Sequence, residues 1–527
     1  MRYRRLFPSL GFALSGSRFA YVLISLLIFA IVGHLKAQEQ LKQAAYIKAS
    51  NTHAGDHFGC GGVLDGHAGN AVAVSADGNT MAIGAPHESS GAKGVNGNQN
   101  DTSAYDAGAV YVFTRNGVSW SQQAYLKASN TARGAEFGHG VALSADGNTI
   151  AVSAYFESSG ATGINGNQVD ESVPQAGAVY VFTRRGTTWS QQAYIKASNT
   201  GEAGVGDQFG EGDQFGFSLA LSGDGNTLVA GATGEDSKAA GINGDQADNS
   251  MNGSGAVYVF SRTGTMWSQQ AYIKSSVPAA NVLFGYAVAL NGTGDTMVAS
   301  SYDDDRGKGA MYVFTRSGTT WSQQARLQAS IAERGDSFGV AISLSNDGNT
   351  LAAGSHDEDC LATGVNPKGC DNDQPSDTSA GAAVVFVRTG STWAEQALLK
   401  ASNTGKGDTF GSRIAMSGDG NTVAVSAPLE AGGAQGINGD QSRRGAPNAG
   451  AVYLYRRNGG AWMQLAYIKG SNTKAGDQFG SSLALSRDGR ILAAAAYGED
   501  SGAKGTNGNQ GDQSAQDSGA VYVFTRN

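Results

Sequence analysis

Carboxylates recur in register along this chain. Glu88, Glu157, Glu235, Asp304, Glu358, Glu430 and Glu499 each follow a short apolar run, and Asp56, Asp213, Asp336, Asp408 and Asp477 each stand two residues before a Phe-Gly pair. Gathered on one face they would form a ring able to hold cations or basic ligands. Lys48, Lys127, Lys196, Lys274, Lys400 and Lys469 recur with the same period and would neutralise that ring as ion pairs between neighbouring repeats. Paired surface charge is common and contributes little stability, so the structural pairing is the preferred expectation. The fourth acidic position differs: Asp303, Asp304 and Asp305 run together where a long loop is missing, which predicts a notch and the best candidate for a specific groove.

A second set of polar groups lies in long loops. GVNGNQND (94–101), GINGNQVD (163–170), GINGDQAD (241–248), GINGDQSR (436–443) and GTNGNQGD (505–512) share an Asn-Gly-Asn/Asp-Gln core. Its oxygens could chelate a cation, with Asn243, Asp245 and Asp248 as the ligand set for calcium, or bond a sugar's hydroxyls. The alternative, preferred because every copy uses it alike, is that Asn and Asp bond their own backbone to order a turn. Catalytic constellations are poor. His53, His57 and His67 cluster in the first copy, and His87 stands beside Glu88, but no nucleophile or metal-ligand set accompanies them, so no enzyme and no cofactor are expected.

The elements that position these groups come from a repeat of about seventy residues, the mark of a repeat architecture. Phe58, Phe137, Phe215, Phe284, Phe338, Phe410 and Phe479 are each followed by Gly. Each copy holds four strand-like runs, as in Phe215 to Ser222, Thr227 to Ala232, Ala256 to Arg262 and Trp267 to Ser275, the first two joined by Gly-Asp-Gly-Asn and the last two by Thr-Gly-Thr. Strands one and two are rich in Ala, Gly, Ser and Val, and strands three and four in Tyr, Phe and Trp, the size gradient of a radial wedge. Val257 and Val259 alternate with Tyr258 and Phe260, as expected of a strand covered on both faces. Gln269, Gln270 and Lys274 read as the polar lining of an exposed edge.

The expected fold is therefore all-β, a seven-bladed propeller of four-stranded antiparallel blades with repeat junctions near 123, 192, 270, 324, 396 and 465. Six tryptophans, Trp120, Trp189, Trp267, Trp321, Trp393 and Trp462, mark the internal junctions. The chain stops after strand three of its last copy, and LKQAAYIKAS near the start supplies the missing strand four, so the N-terminal strand should close the ring.

Residues 1–37 differ from the rest. Arg2, Arg4, Arg5 and Arg18 precede the apolar run Phe19 to Val32, which reads as a signal peptide or an uncleaved N-terminal anchor, with 38–527 as the propeller. A secreted or cell-envelope location follows, with membrane contact only through that segment. The net charge of −8 becomes more negative without the basic leader, which argues against nucleic acid or anionic lipid as partners. In an exported chain Cys360 and Cys370, close together in one loop, would form a disulfide; Cys60, in an insertion of the first copy, is left over.

Phe58-Gly59 followed by Gly84-Ala85-Pro86, with Phe410-Gly411 and Ser426-Ala427-Pro428 close to it, resembles the motif pair of FG-GAP repeats. The chain is similar in blade plan to the seven-bladed head of integrin alpha chains, in a bacterial secreted form. That resemblance implies a monomeric binding or adhesion propeller recognising a protein or a glycan through its loop-rich face. It also implies calcium loops between strands one and two. In LALSGDGNTL, however, Ala220 and Leu228 stand where the first and last ligands belong, and similar losses surround Asp77, Asp146, Asp347, Asp419 and Asp488, so these read as hairpin turns. Arg334-Gly335-Asp336-Ser337 spells an adhesion tripeptide plus serine, but its Gly-Asp belongs to the repeat and chance explains it. The rival expectations are a polysaccharide-degrading enzyme, using the clustered acids and His87 at the central channel or the notch of the fourth copy, and a structural surface or matrix component.

Overall fold

Seven copies of one strand pattern produce seven four-stranded antiparallel sheets. The computed structural model describes residues 41–61, 69–201, 212–370 and 378–527, so the leader at 1–37 and His67 lie outside the described residues. The chain divides into two units, Gln43–Thr525 and Met1–Lys42 with Arg526–Asn527, and the propeller is built by the first. Blade three is typical: Leu219–Leu221, Thr227–Ala232, Ala256–Thr263 and Met266–Ile273, hydrogen-bonded in that order from the central channel outward. No helix among the described residues is long and apolar enough to cross a membrane.

Strand one is shorter than its sequence suggests. The apolar run from Phe215 is extended only over Leu219–Leu221. Gln214 (φ +55°) and Gly216 (φ +91°) turn the backbone and drive the Phe215 ring between Tyr258 and Phe260, at 5.4 and 5.9 Å. The Gly216 N–H then donates to the Gly231 carbonyl of strand two (2.8 Å), and Gly59 does the same to Gly84 (2.7 Å). The Phe-Gly pair is thus a corner that plugs a ring into the core and returns the chain to strand two.

Strand three carries the predicted two apolar faces. Tyr258 and Phe260 join a cluster with Val179, Val181 and Ile195 of blade two, while Val257 and Val259 join one with Met297, Tyr312 and Phe314 of blade four. All of these side chains are fully buried. The hydrophobic core is therefore a set of seams between blades, each made by two neighbours. Burial of such seams is the main attraction holding the wedges together.

The outer strand departs from the expectation of a bare polar edge. Gln269 donates to Ser198 Oγ (3.0 Å) of the segment leaving blade two, and Gln270 Oε1 accepts from Arg316 Nη1 (3.1 Å) and Trp321 Nε1 (2.8 Å) of blade four. Lys274 is fully buried. The two glutamines link blades because each strand four is overlapped by the next repeat. The Arg guanidinium also lies over the Trp face, 5.2 Å from the ring in Arg184–Trp189 and 5.4 Å in Arg316–Trp321, within cation–π range.

Closure uses both ends of the repeat array. Leu41–Ile47 is strand four of the seventh blade, alongside Ala520–Arg526, and the rings of Tyr46 and Tyr522 meet at 5.3 Å. At the far end of the inner strands the seven hairpins form a second closure. Ala76, Ala145, Gly223, Gly292, Asn346, Gly418 and Arg487 each donate a backbone N–H to the carbonyl of the next, at 2.8–3.2 Å, and Arg487 returns to Ala76.

Candidate functional site

The acidic ring lies inside the protein. Glu88, Glu157, Glu235, Glu358, Glu430 and Glu499 are at most 4 % exposed, at the top of strand two. Each meets the lysine at the top of strand four of its own blade: Lys127–Glu88, Lys196–Glu157, Lys469–Glu430 and Lys48–Glu499 at 2.8 Å, Lys274–Glu235 at 2.5 Å, and Lys400–Glu358. The pairing anticipated between repeats at the surface is instead internal to each blade and buried, because strands two and four rise to the same level on either side of strand three.

Further bonds complete each carboxylate. Glu157 also accepts from Tyr194 Oη and Asn130 Nδ2, both at 2.9 Å, and from the Ser159 N–H at 3.2 Å. Asn130 comes from the segment leaving the previous blade, so the network crosses the seam. Burial pushes the lysine ammonium groups below their ordinary value, and the facing glutamates push them back up. Blade four carries a smaller version: Asp304 Oδ2 accepts from Tyr312 Oη (2.5 Å) and pairs with Arg326 Nη2 (3.1 Å). Asp303 and Asp305 are exposed, so the three notch acids do not converge.

The second acidic set behaves differently. Asp56, Asp213, Asp336, Asp408 and Asp477 are at most 5 % exposed, and most accept a single backbone N–H, as Asp213 does from Gly201 at 2.8 Å. Burial raises Asp56, Asp213 and Asp477 to about 7 and Asp336 and Asp408 to about 6. The folded chain then holds protons that the unfolded chain releases between about pH 4 and 7, so stability falls as pH rises through that window and levels off above it. The melting temperature is expected to be higher at pH 5 than at pH 8, and Asp213→Asn with Asp477→Asn should flatten that slope. A melting temperature that rises toward pH 8 would contradict the assignment.

The loop cores are tethers. In blade three Asn243 sits at φ +56°, its Oδ1 accepts the Tyr272 N–H (3.0 Å), and its own N–H donates to the Tyr272 carbonyl (2.7 Å). Asp245 Oδ1 accepts the Ala247 N–H, Asp248 Oδ1 accepts the Ser250 N–H, and Asp248 Oδ2 faces Lys238 at 3.6 Å. The core Gln receives the Ser hydroxyl that follows strand four of the preceding blade, as Gln246 does from Ser198. Asn is bonded to strand four rather than to its own backbone, which sequence alone did not distinguish. The strand one–two turns are likewise internally satisfied: Asp224 accepts from Ser222 Oγ (2.5 Å) and from the backbone and side chain of Asn226, which hold its carboxyl below the usual range despite partial burial.

Asp336 of the adhesion-like tripeptide is buried and accepts the Glu333 N–H at 2.7 Å, so it faces inward. His87 pairs with Asp106 (3.0 Å), not with its neighbour Glu88, because Glu88 is turned in toward Lys127. Cys360 and Cys370 are joined as a disulfide beside Glu358, and Cys60 is a buried thiol.

Sequence reasoning missed the mouth of the channel. The channel, about 330 Å³, is lined by the inner strands, including Val72, Leu219, Val288, Ile342, Ile414 and Leu483. At its Phe-Gly end the residues just after Phe-Gly and just after strand two vary from blade to blade, and blades two to four place aromatic rings there. Phe156–Tyr155 (3.9 Å), Tyr155–Phe217 (6.0 Å), Phe217–Tyr286 (5.2 Å) and Tyr286–Tyr302 (4.3 Å) form a continuous arc that packs on Ala287 and Val340. Phe156 and Tyr302, at its ends, are half-buried. Exposed Asp303 follows Tyr302, and His356–Asp357, paired at 2.9 Å, occupies the matching position of blade five. The available signal was that the copies stop agreeing at these two positions.

Seven such blades with small inner strands and a tethered loop face define a β-propeller of repeat type. Residues 120–182, 267–314, 321–386, 393–455 and 462–524 match the FG-GAP repeat, together more than half of the chain, and the protein belongs to that family. Each longer match runs from the outer strand of one blade to strand three of the next, so the sequence unit straddles a seam. No curated protein matches the chain. Among solved structures it is similar to a candidate 6-phosphogluconolactonase from Bacteroides uniformis ATCC 8492 (12 % identity, TM-score 0.45, covering 76 % of this chain and 85 % of that one). It is also similar to the hydrazine synthase of Kuenenia stuttgartiensis (12 % identity, TM-score 0.45, covering 80 % and 91 %).

Proposed function

We propose that the protein is a non-catalytic binding propeller of the cell exterior or envelope, which recognises a protein or glycan across the channel mouth on its loop-rich face. The FG-GAP propeller fold points to a binding or structural role. The observation that carries the finer reading is the aromatic arc from Phe156 to Tyr302: half-buried rings beside carboxylates suit both sugar faces and apolar side chains. The recurring acids add no hydrolase pair, since each glutamate is held by a lysine, and the binding reading routes nothing through them. It also needs no calcium, since the loop oxygens of Asn243, Asp245 and Asp248 already serve turns.

The test is a glycan-array and pull-down screen of residues 38–527, with and without calcium, repeated with Phe156→Ser plus Tyr302→Ser. A retained ligand whose binding falls at least tenfold in the double variant supports the reading. No retained partner in either condition, or binding indifferent to those substitutions, overturns it.

A further inference from the structure

In six blades the upper end of the outer strand is covered. In blade three the Asn243 N–H donates to the Tyr272 carbonyl (2.7 Å), the Lys274 N–H donates to the Gly241 carbonyl (2.7 Å), and the Tyr272 N–H donates to Asn243 Oδ1 (3.0 Å). The same three bonds recur on Tyr46, Tyr125, Tyr194, Leu398 and Tyr467 and the lysine two residues on. The long loop thus adds a short fifth segment to each of those sheets.

Blade four lacks the loop and passes from Ser301 to Ala310 through one turn at Asp304–Gly307. Arg326 pairs with Tyr312 in the register that Tyr272 keeps with Tyr258, so the same groups point outward: the Arg326 N–H, the Arg326 carbonyl and the Gln328 N–H. Among the described residues no backbone or side-chain group bonds to these three. Arg326 is exposed where Tyr272 is fully buried. Val277 is 57 % exposed at the position that Asn51 fills, buried, under the loop of blade one. Beside this edge Asp303 and Asp305 stand exposed, and neither has an ion-pair partner among the described residues.

We infer that the outer edge of blade four is a strand-addition site for an extended, basic segment of a partner protein. The six sister blades show which occupant fits: an extended segment offering a side-chain acceptor, Asn Oδ1 in the sister loops, to the Arg326 N–H, a backbone donor to its carbonyl and a backbone acceptor to the Gln328 N–H, with an apolar residue over Val277. An unpaired edge with this donor–acceptor spacing is the recognition mode of β-augmentation, in which main-chain bonds give affinity and side chains give specificity. Asp303 and Asp305, on a chain of net charge −8, favour lysine or arginine flanking the docked segment. This edge is separate from the aromatic arc and stands whether or not that arc binds a ligand.

The probe is a synthetic peptide carrying the Gly-Ile-Asn-Gly sequence of residues 241–244 between lysines, followed by amide hydrogen exchange on residues 38–527. In the free protein Arg326 and Gln328 should exchange at least a hundredfold faster than Tyr272 and Lys274. Millimolar peptide should slow them at least tenfold and leave Tyr272 unchanged. Grafting residues 236–253 in place of 303–307 should remove the peptide effect, as should Gln328→Pro, which deletes one donor at an edge where proline is tolerated; Phe156→Ala should not. Three results would overturn the site: no slowing at millimolar peptide, equal slowing in both blocked variants, or amides already protected in the free chain in a concentration-dependent way, which would mean that a second copy covers the edge.

Discussion

Lys196→Met is expected to destabilise the protein by about 3–5 kcal/mol, the cost of breaking a buried ion pair by removing one partner. The ammonium and the Glu157 carboxylate are both almost fully excluded from water, 2.8 Å apart. Methionine keeps the length of the stem but leaves Glu157 with only neutral donors from Tyr194, Asn130 and Ser159, so the carboxylate either stays charged in a poor environment or takes up a proton. Adding Glu157→Gln should recover most of the loss, because a neutral amide can still accept from Tyr194 and Asn130. Urea unfolding of the single and double variants measures both. A loss below about 1 kcal/mol in the single variant would place the pair in the class of exposed bridges and refute its burial. The same substitution at a surface pair such as Lys238–Asp248, where the lysine is largely exposed, should be nearly silent.

Gly177→Ala should be at least as damaging, about 4 kcal/mol or more, when the strain of a left-handed backbone is added to a collision inside the core. Gly177 opens strand three of blade two at φ +80°, and a Cβ there would run into the backbone nitrogen and carbonyl of Phe215, the corner residue of blade three. That Phe215 N–H donates to the Ala176 carbonyl at 3.0 Å, so the two chains cannot separate without losing the bond that aligns neighbouring blades. Thermal unfolding of Gly177→Ala beside Gly163→Ala makes the comparison clean. Gly163 also has positive φ, at +71°, but nothing lies within 4 Å of its added Cβ, so only the backbone term of about 1–2 kcal/mol remains. Equal losses at the two sites would show that the collision is relieved at little cost.

The ring was legible because its determinants are periodic and local. Phe-Gly pairs, Asp-Gly turns, small inner strands and a terminal strand out of phase each specify the same geometry. Strand two was read to the residue, Thr227–Ala232, since a fully buried apolar run has no ambiguity of face. Strand one was overextended because hydrophobicity from Phe215 onward hides a turn that depends on φ at Gln214 and Gly216. The acid–lysine match was visible by count, but its depth was not: burial is completed by the Asn that reaches in from the segment leaving the previous blade, and a single repeat does not show its neighbour. Gln269 and Gln270 misled for the same reason, as their partners belong to blades two and four. The aromatic arc escaped notice because periodicity draws attention to what all the copies share, whereas Tyr155, Phe217, Tyr286 and Tyr302 lie at two positions where only some copies carry an aromatic ring.

The circle of backbone bonds from Ala76 through Arg487 carries a consequence for how the protein comes apart. A circle has no fraying terminus, and one broken link leaves both of its neighbours strained rather than one of them released. The seven amides should therefore share a common fate, each protected until the weakest wedge yields, so that the rim as a whole is only as durable as its poorest sector.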